Sequence, residues 1–79
     1  MINVTLLKKT CETPGISGFE QQVRTLVTQE IEGFTDSLYT DAMGNLIALK
    51  KGKSSEKRTM AAAHMDEIGF IVSHIDDKG

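Results

Sequence analysis

The stretch Thr59–Asp77 constrains the fold most strongly, because an apolar, strand-like run there leads directly into side chains that can bind a metal. Its first part, Met60–Ala63, consists of small apolar residues with no polar alternation. Runs of this kind are typical of strands that are covered on both faces. We therefore predict that Met60–Ala63 is the central strand of an α/β fold.

His64 and Asp66 follow this run and are two residues apart. Because strand side chains alternate between faces, both lie on the same side if the strand continues that far, at the end where open α/β sheets bind ligands. A neutral imidazole is a good zinc ligand, and a carboxylate commonly fixes its orientation and tautomer. We predict that His64 binds a metal and that Asp66 orients it. By itself, an H-x-D triplet also fits a surface pair or a core histidine.

Length, charge and composition exclude several classes of protein. A chain of 79 residues forms one small domain at most, and its single cysteine excludes an internal disulfide. The net charge of -2, with both signs interspersed, argues against a nucleic-acid partner. No apolar run has the length of a membrane span or of a signal-peptide core, so we expect a cytoplasmic protein without a membrane partner. One basic cluster is predicted to be a solvated turn: Lys50, Lys51, Lys53, Lys57 and Arg58.

Two amphipathic helices are predicted before the central strand. Asn3 can cap the first, from about Val4 to Glu12, and Cys11 on its apolar stripe is expected to be a buried small hydrophobe, not a nucleophile. The segment Ser17–Glu20, SGFE, predicts a capping box for the second helix, with Gly33 as the residue after its end. The apolar stripe of the second helix is expected to face the core: Phe19, Val23, Leu26, Val27 and Ile31.

A β-hairpin and two further strands are predicted to follow. Asp36–Asp41 and Leu46–Leu49 read as its strands, and Ala42–Asn45 supplies the turn, with Gly44 and Asn45 tolerant of positive φ. Beyond the central strand, the apolar segment Phe70–Ile75 predicts one strand more. The order is helix, helix, hairpin, strand, strand. The last four residues read as the first half of a β-turn, so we expect the front of a longer protein.

A metal site needs three or more protein ligands, and His64 is the best placed candidate in this sequence. The others are neighbours in sequence that cannot all converge with His64 on one ion: Glu67, His74, Asp76 and Asp77. We therefore expect the remaining ligands to come from outside these 79 residues.

Three segments carry a family resemblance: Thr13–Glu20 (TPGISGFE), Asp41–Gly52 (DAMGNLIALKKG) and Ala63–Gly79 (AHMDEIGFIVSHIDDKG). In this order and spacing, they closely resemble the amino-terminal portion of the M42 metallo-aminopeptidases, the group of glutamyl, deblocking and tetrahedral aminopeptidases. Three motifs are more specific than the H-x-D triplet alone. The similarity extends through the whole chain.

The resemblance implies the front part of a phosphorylase/hydrolase-like α/β catalytic domain, comprising two helices, a hairpin and the central strand. In this family an inserted β-rich domain interrupts the catalytic domain and mediates dimerisation and tetrahedral assembly. Residues 1–69 would then belong to the catalytic domain and residues 70–79 to the start of the inserted domain. A homo-oligomer, from dimer to dodecamer, is expected for the full-length enzyme.

The resemblance also implies two divalent ions per active site, zinc or cobalt, which bind a bridging water and the free amino terminus of a peptide substrate. His64 matches the first metal ligand of the family. Asp66 matches the carboxylate that orients this histidine and is counted among the catalytic residues. The family's general-base Glu, its bridging Asp, its other acidic ligand and its second ligand His have no counterpart here, and neither Glu56 nor Glu67 occupies a matching position. The chain alone is therefore expected to be catalytically silent.

Two other functions stay open. One is a non-catalytic interaction module, or a truncated relative, that binds a partner and thereby covers the exposed edge of its central strand. The other is a polysaccharide hydrolase, a label sometimes attached to relatives, although the paired carboxylates that glycoside cleavage needs are not evident.

Overall fold

Two helices and one β-hairpin make up the regular structure of the computed structural model, which describes residues 2–79. Helix α1 spans Val4–Glu12 and helix α2 spans Gln21–Ile31, followed by a 3-10 turn at Glu32–Phe34. Strand β1 spans Ser37–Thr40 and strand β2 spans Leu46–Leu49. Helices and a two-stranded antiparallel sheet are compatible with part of an α/β fold.

Helix α1 has the predicted bounds, but its apolar stripe is open to solvent. The Asn3 side chain caps it by accepting a hydrogen bond from the Leu6 amide at 3.0 Å, as expected for this residue type. Val4 and Leu7 on the stripe are 71% and 52% exposed, and Cys11 is exposed as well. The prediction that Cys11 is buried is therefore wrong, because no element of the described chain covers this face of α1.

Helix α2 starts later than predicted. Its first residue is Gln21, and the residue before it, Glu20, makes no side-chain capping bond, so the predicted capping box is wrong. The Glu20 carboxylate accepts instead from the Gly18 amide at 2.7 Å. At the other end, Glu32 is the C-cap, so Gly33 occupies the predicted C′ position, although it lies within the 3-10 turn and has no positive φ. Val23 is the one buried apolar side chain among residues 2–79.

The predicted hairpin is confirmed. Strands β1 and β2 pair antiparallel, with Leu38 opposite Ala48 and Thr40 opposite Leu46. Gly44 in the turn has a φ of +89°, which explains why the turn contains glycine. Of the two turn residues expected to tolerate a positive φ, Gly44 adopts one and Asn45 does not.

The two strands predicted after the hairpin are absent from the described residues. Met60–Ala63 and Phe70–Ile75 have no regular secondary structure and are exposed, with Phe70 at 98%. A strand forms by hydrogen bonding to a neighbouring strand, and β1 and β2 pair only with each other in residues 2–79. The apolar pattern of these two segments predicts that their side chains would be buried in a sheet, but a strand also needs a neighbouring strand to pair with, and the pattern does not provide one.

Candidate metal-ligand site

The segment between the helices, residues 13–20 and hereafter the α1–α2 loop, lies against the residues that follow the predicted central strand. The Glu67 amide donates to the Gly15 carbonyl at 2.8 Å, and the Gly15 amide donates to the Glu67 carboxylate at 3.2 Å. Ile16 and Glu67 form an isolated parallel bridge. Gly15 is buried, and a Cβ there would collide with the Val23 side chain, so the close approach requires glycine.

This contact brings Asp66 between two polar side chains. The Ser17 hydroxyl donates to Asp66 Oδ2 at 2.5 Å. On the other side, His64 Nδ1 lies 3.1 Å from Asp66 Oδ1 and 3.0 Å from the Asp66 carbonyl oxygen. The order Ser17, Asp66, His64 is therefore a continuous chain of hydrogen bonds. Sequence reasoning paired His64 with Asp66 correctly but assigned the Ser17 hydroxyl to a helix cap.

The hydrogen bonds define the tautomer of His64. Both atoms that face Nδ1 are acceptors, because a carbonyl oxygen and an ionised carboxylate carry no hydrogen. Nδ1 therefore carries the proton, and in the neutral ring Nε2 carries the lone pair. A histidine held through Nδ1 by a carboxylate or carbonyl is the usual arrangement of a metal-ligating imidazole.

The pKa of Asp66 is lowered by its hydrogen bonds. The hydrogen bond from Ser17 is the main cause that lowers the pKa of Asp66, and the bond to His64 lowers it further. Both bonds favour the charged form of the carboxyl group. An ionised Asp66 also stabilises a nearby cation, whether this is a protonated ring or a metal that the ring binds.

A cleft of about 240 Å³ lies beside the histidine. Glu20, the hairpin turn at residues 43–45 and residues 63–66 line it. Arg24 fixes the turn to α2, since its Nε donates to the Gly44 carbonyl at 3.1 Å and its Nη2 lies 3.9 Å from Glu20. Sequence reasoning did not identify Arg24 as part of the site, and only 20% of its side chain is exposed. The sequence signal for the contact between Arg24 and Glu20 was their separation of four residues, because side chains at this spacing are neighbours on a helix.

The site offers one candidate metal ligand and not a complete set. The His64 side chain is 85% exposed, so a cation can reach its ring. In residues 2–79, no three histidine, cysteine or acidic side chains come close enough to hold one ion. Glu67 contacts Gly15, and Asp76 accepts from the Lys78 amide in the predicted turn, so neither joins His64. The residues present therefore fit one corner of a metal centre.

Comparison with known proteins identifies the family of this chain. The M42 glutamyl aminopeptidase family matches residues 44–79. A protein of Acetivibrio thermocellus, provisionally named an aminopeptidase, is 51% identical over 94% of this chain and 22% of its own length. The lysyl aminopeptidase of Pyrococcus furiosus is 44% identical over 100% of this chain and 22% of its own. The glutamyl aminopeptidase of Lactococcus lactis is 35% identical over 92% of this chain and 21% of its own length.

The chain belongs to the M42 aminopeptidase family, which confirms the resemblance found in its three motifs. It spans about a fifth of the length of the curated relatives that it matches. Among the described residues, no helix is both long enough and apolar enough to cross a lipid bilayer.

Proposed function

We propose that this chain is the amino-terminal part of a dinuclear, metal-dependent aminopeptidase that removes amino-terminal residues from peptides. The observation that carries the proposal is the state of His64: its Nδ1 faces two acceptors of Asp66, which leaves the lone pair on Nε2. The aminopeptidase names of relatives from three organisms support the reaction class.

In this proposal His64 binds one of two divalent ions, zinc or cobalt, and Asp66 fixes the ring. Bound ions of this kind lower the pKa of a water molecule and polarise the scissile carbonyl. Asp66 keeps the Nδ1 proton in place and, because it stays ionised, offsets part of the positive charge. Asp66 thus contributes the orientation of the His64 ring and a negative charge beside it. The other ligands and the general base come from the rest of the complete protein.

The same proposal covers the domains and the oligomeric state of the complete protein. Residues 1–69 would form part of the catalytic domain and residues 70–79 the start of an inserted, β-rich dimerisation domain. The complete protein would be a cytoplasmic homo-oligomer, from dimer to dodecamer, acting on peptides. The 79 residues alone would be inactive, since the described residues bring no set of three metal ligands together.

Substitution of His64 tests the proposal. In the complete protein, we expect His64→Ala to remove one bound ion per subunit and to lower hydrolysis of aminoacyl-p-nitroanilides by more than about 100-fold, beyond the effect of losing a residue behind a ligand. Metal content by mass spectrometry is the direct measurement. His74→Ala is the matched control, because His74 is an exposed histidine outside the site. A His64→Ala protein with the metal content and rate of the wild type would refute the assignment.

Substrate preference does not follow from the family. The relatives are named for different residues, lysyl in Pyrococcus furiosus and glutamyl in Lactococcus lactis, although both align over at least 92% of this chain. We infer that the side-chain selectivity of the proposed enzyme is determined mainly outside these residues.

A non-catalytic interaction module is the second candidate. The observation in its favour is the exposed apolar tail, in which Phe70, Val72 and Ile75 are 98%, 75% and 71% exposed. Zinc calorimetry of the 79-residue chain, with size-exclusion chromatography, separates the two functions. A monodisperse, stable fold indifferent to zinc favours the module.

A further inference from the structure

We propose that Ser17 is a positioning residue for His64: its hydroxyl holds the Asp66 carboxylate against the ring, so that Nε2 stays available to a divalent cation. This inference rests on the proposed function and adds a residue to it. The role is indirect, because Ser17 contacts Asp66 and not the ring.

Asp66 uses its two carboxylate oxygens for different contacts. Ser17 bonds Oδ2, and His64 faces Oδ1, so each carboxylate oxygen has its own partner. Asp66 is 41% exposed, and the terminal torsion of an aspartate has a broad preference. Packing alone therefore does not fix the plane of the carboxylate. With one oxygen held by Ser17, the other remains directed at Nδ1.

The position of the α1–α2 loop does not depend on the Ser17 hydroxyl. Two hydrogen bonds between Gly15 and Glu67 already hold the loop backbone against residues 66–67. The Ser17 bond is an additional contact between side chains, so its removal acts on Asp66 before it acts on the loop. The effects of loop position and of carboxylate orientation can thus be separated by substitution.

The start of helix α2 gives a second reason. Ser17 precedes a helix that has no side-chain cap, and its sequence context, S-x-x-E, is that of a capping residue. The hydroxyl nevertheless bonds a carboxylate 49 residues away. Ser17 thus leaves helix α2 without a capping bond and instead orients the Asp66 carboxylate.

The experiment compares Ser17→Ala, Ser17→Thr and Ser17→Cys with Glu67→Ala in the complete, metal-free protein. Nitrogen-15 NMR of labelled histidine reads the His64 tautomer, and titration with zinc reads affinity. We expect Ser17→Ala to mix the two tautomers and to weaken zinc binding about 10-fold, the lower end for residues behind a ligand. Ser17→Thr keeps the hydroxyl and should restore both. Should Ser17→Ala fail to fold, Ser17→Cys, of similar volume but with a weak donor, is expected to show the same change to a smaller degree.

Glu67→Ala is the control, because it weakens the docking of the loop without touching Asp66. It should leave the tautomer unchanged and zinc affinity close to that of the wild type. Equal losses in Glu67→Ala and Ser17→Ala would show that only loop docking matters and would overturn the inference. A wild-type tautomer and affinity in Ser17→Ala would overturn it as well, while loss of metal in His64→Ala would leave the proposed function standing. Unchanged metal content in His64→Ala would overturn both.

Discussion

At the residue scale, the site depends on one aspartate that serves two neighbours. Asp66 accepts from Ser17 with one oxygen and faces His64 with the other, and these bonds keep its pKa low. Both bonds favour the charged form of the carboxylate, which faces the ring. His64 itself is exposed, so its usefulness as a ligand depends on its orientation and not on burial.

Replacement of Asp66 should weaken metal binding without removing the ligand. We expect Asp66→Ala to lower zinc affinity of the complete protein by about 10- to 100-fold, because the ring loses one of its two acceptors together with the negative charge beside it, and keeps only the backbone carbonyl. Isothermal titration calorimetry is the measurement. Asp77→Ala removes the same charge from the exposed tail and serves as the control. Equal affinities in the two variants would mean that Asp66 does not orient the histidine.

At the element scale, the hairpin turn is fixed from two sides. Asp41 accepts from the amides of Met43 and Asn45 at 3.0 and 2.9 Å, which closes the turn from within. Arg24 of α2 donates to the Gly44 carbonyl, which holds the turn beside the cleft. The hairpin therefore forms one wall of the candidate site.

Gly44 should tolerate no side chain. Alanine there would adopt a positive φ, and its Cβ would lie 3.1 Å from Arg24 Nη2, so we expect Gly44→Ala to destabilise the fold by about 1–2 kcal/mol. Urea unfolding followed by circular dichroism measures the change. Gly52→Ala is the control, since a Cβ at Gly52 has no neighbour within 4 Å. Similar midpoints for both variants would contradict the role of Gly44.

The turn should also lose stability in acid. The hydrogen bond from the Asn45 side chain is the main cause that lowers the pKa of Asp41, with support from the Asn45 amide. Because the folded pKa lies below the unfolded value of about 3.9, the stabilisation is fully present above pH 4 and disappears as the pH falls through the folded pKa. Hairpin NMR signals followed from pH 6 to pH 2 should report this loss, and Asp41→Asn should remove this contribution. An equal acid response in both proteins would argue against it.

Local signals predicted some elements and long-range contacts determined the others. Asn3 and the Gly44 turn act within a few residues, so α1 and the hairpin were predictable. Ser17 carries the signature of a helix cap, yet it bonds Asp66, which no local pattern reveals. The alanine run after Met60 indicated burial, but a strand also needs a partner, and the described residues provide none.

At the scale of the whole molecule, the chain exposes most of its apolar surface. Val23 is the single buried apolar side chain of residues 2–79, while Phe70 and Ile68 are 98% and 96% exposed. Small chains with thin cores are marginally stable, and large exposed apolar patches commonly mark interfaces. Together with coverage of about a fifth of its relatives, this exposure supports the proposal that the chain works as part of a larger enzyme.

The three motifs predicted the family correctly, because their order and spacing extend over the whole chain. They could not predict the geometry around His64 in full, since the Ser17 contact joins residues 49 positions apart. The family was thus predictable from the sequence, His64 as a metal ligand stays a prediction, and the Ser17 contact behind Asp66 required the fold.

The most direct test of the account is anomalous X-ray diffraction from crystals of the complete protein soaked in zinc. The account predicts an anomalous peak about 2.0–2.1 Å from His64 Nε2, with Nδ1 still facing Asp66. A map in which zinc binds elsewhere and the His64 ring lies away from every ion would contradict it.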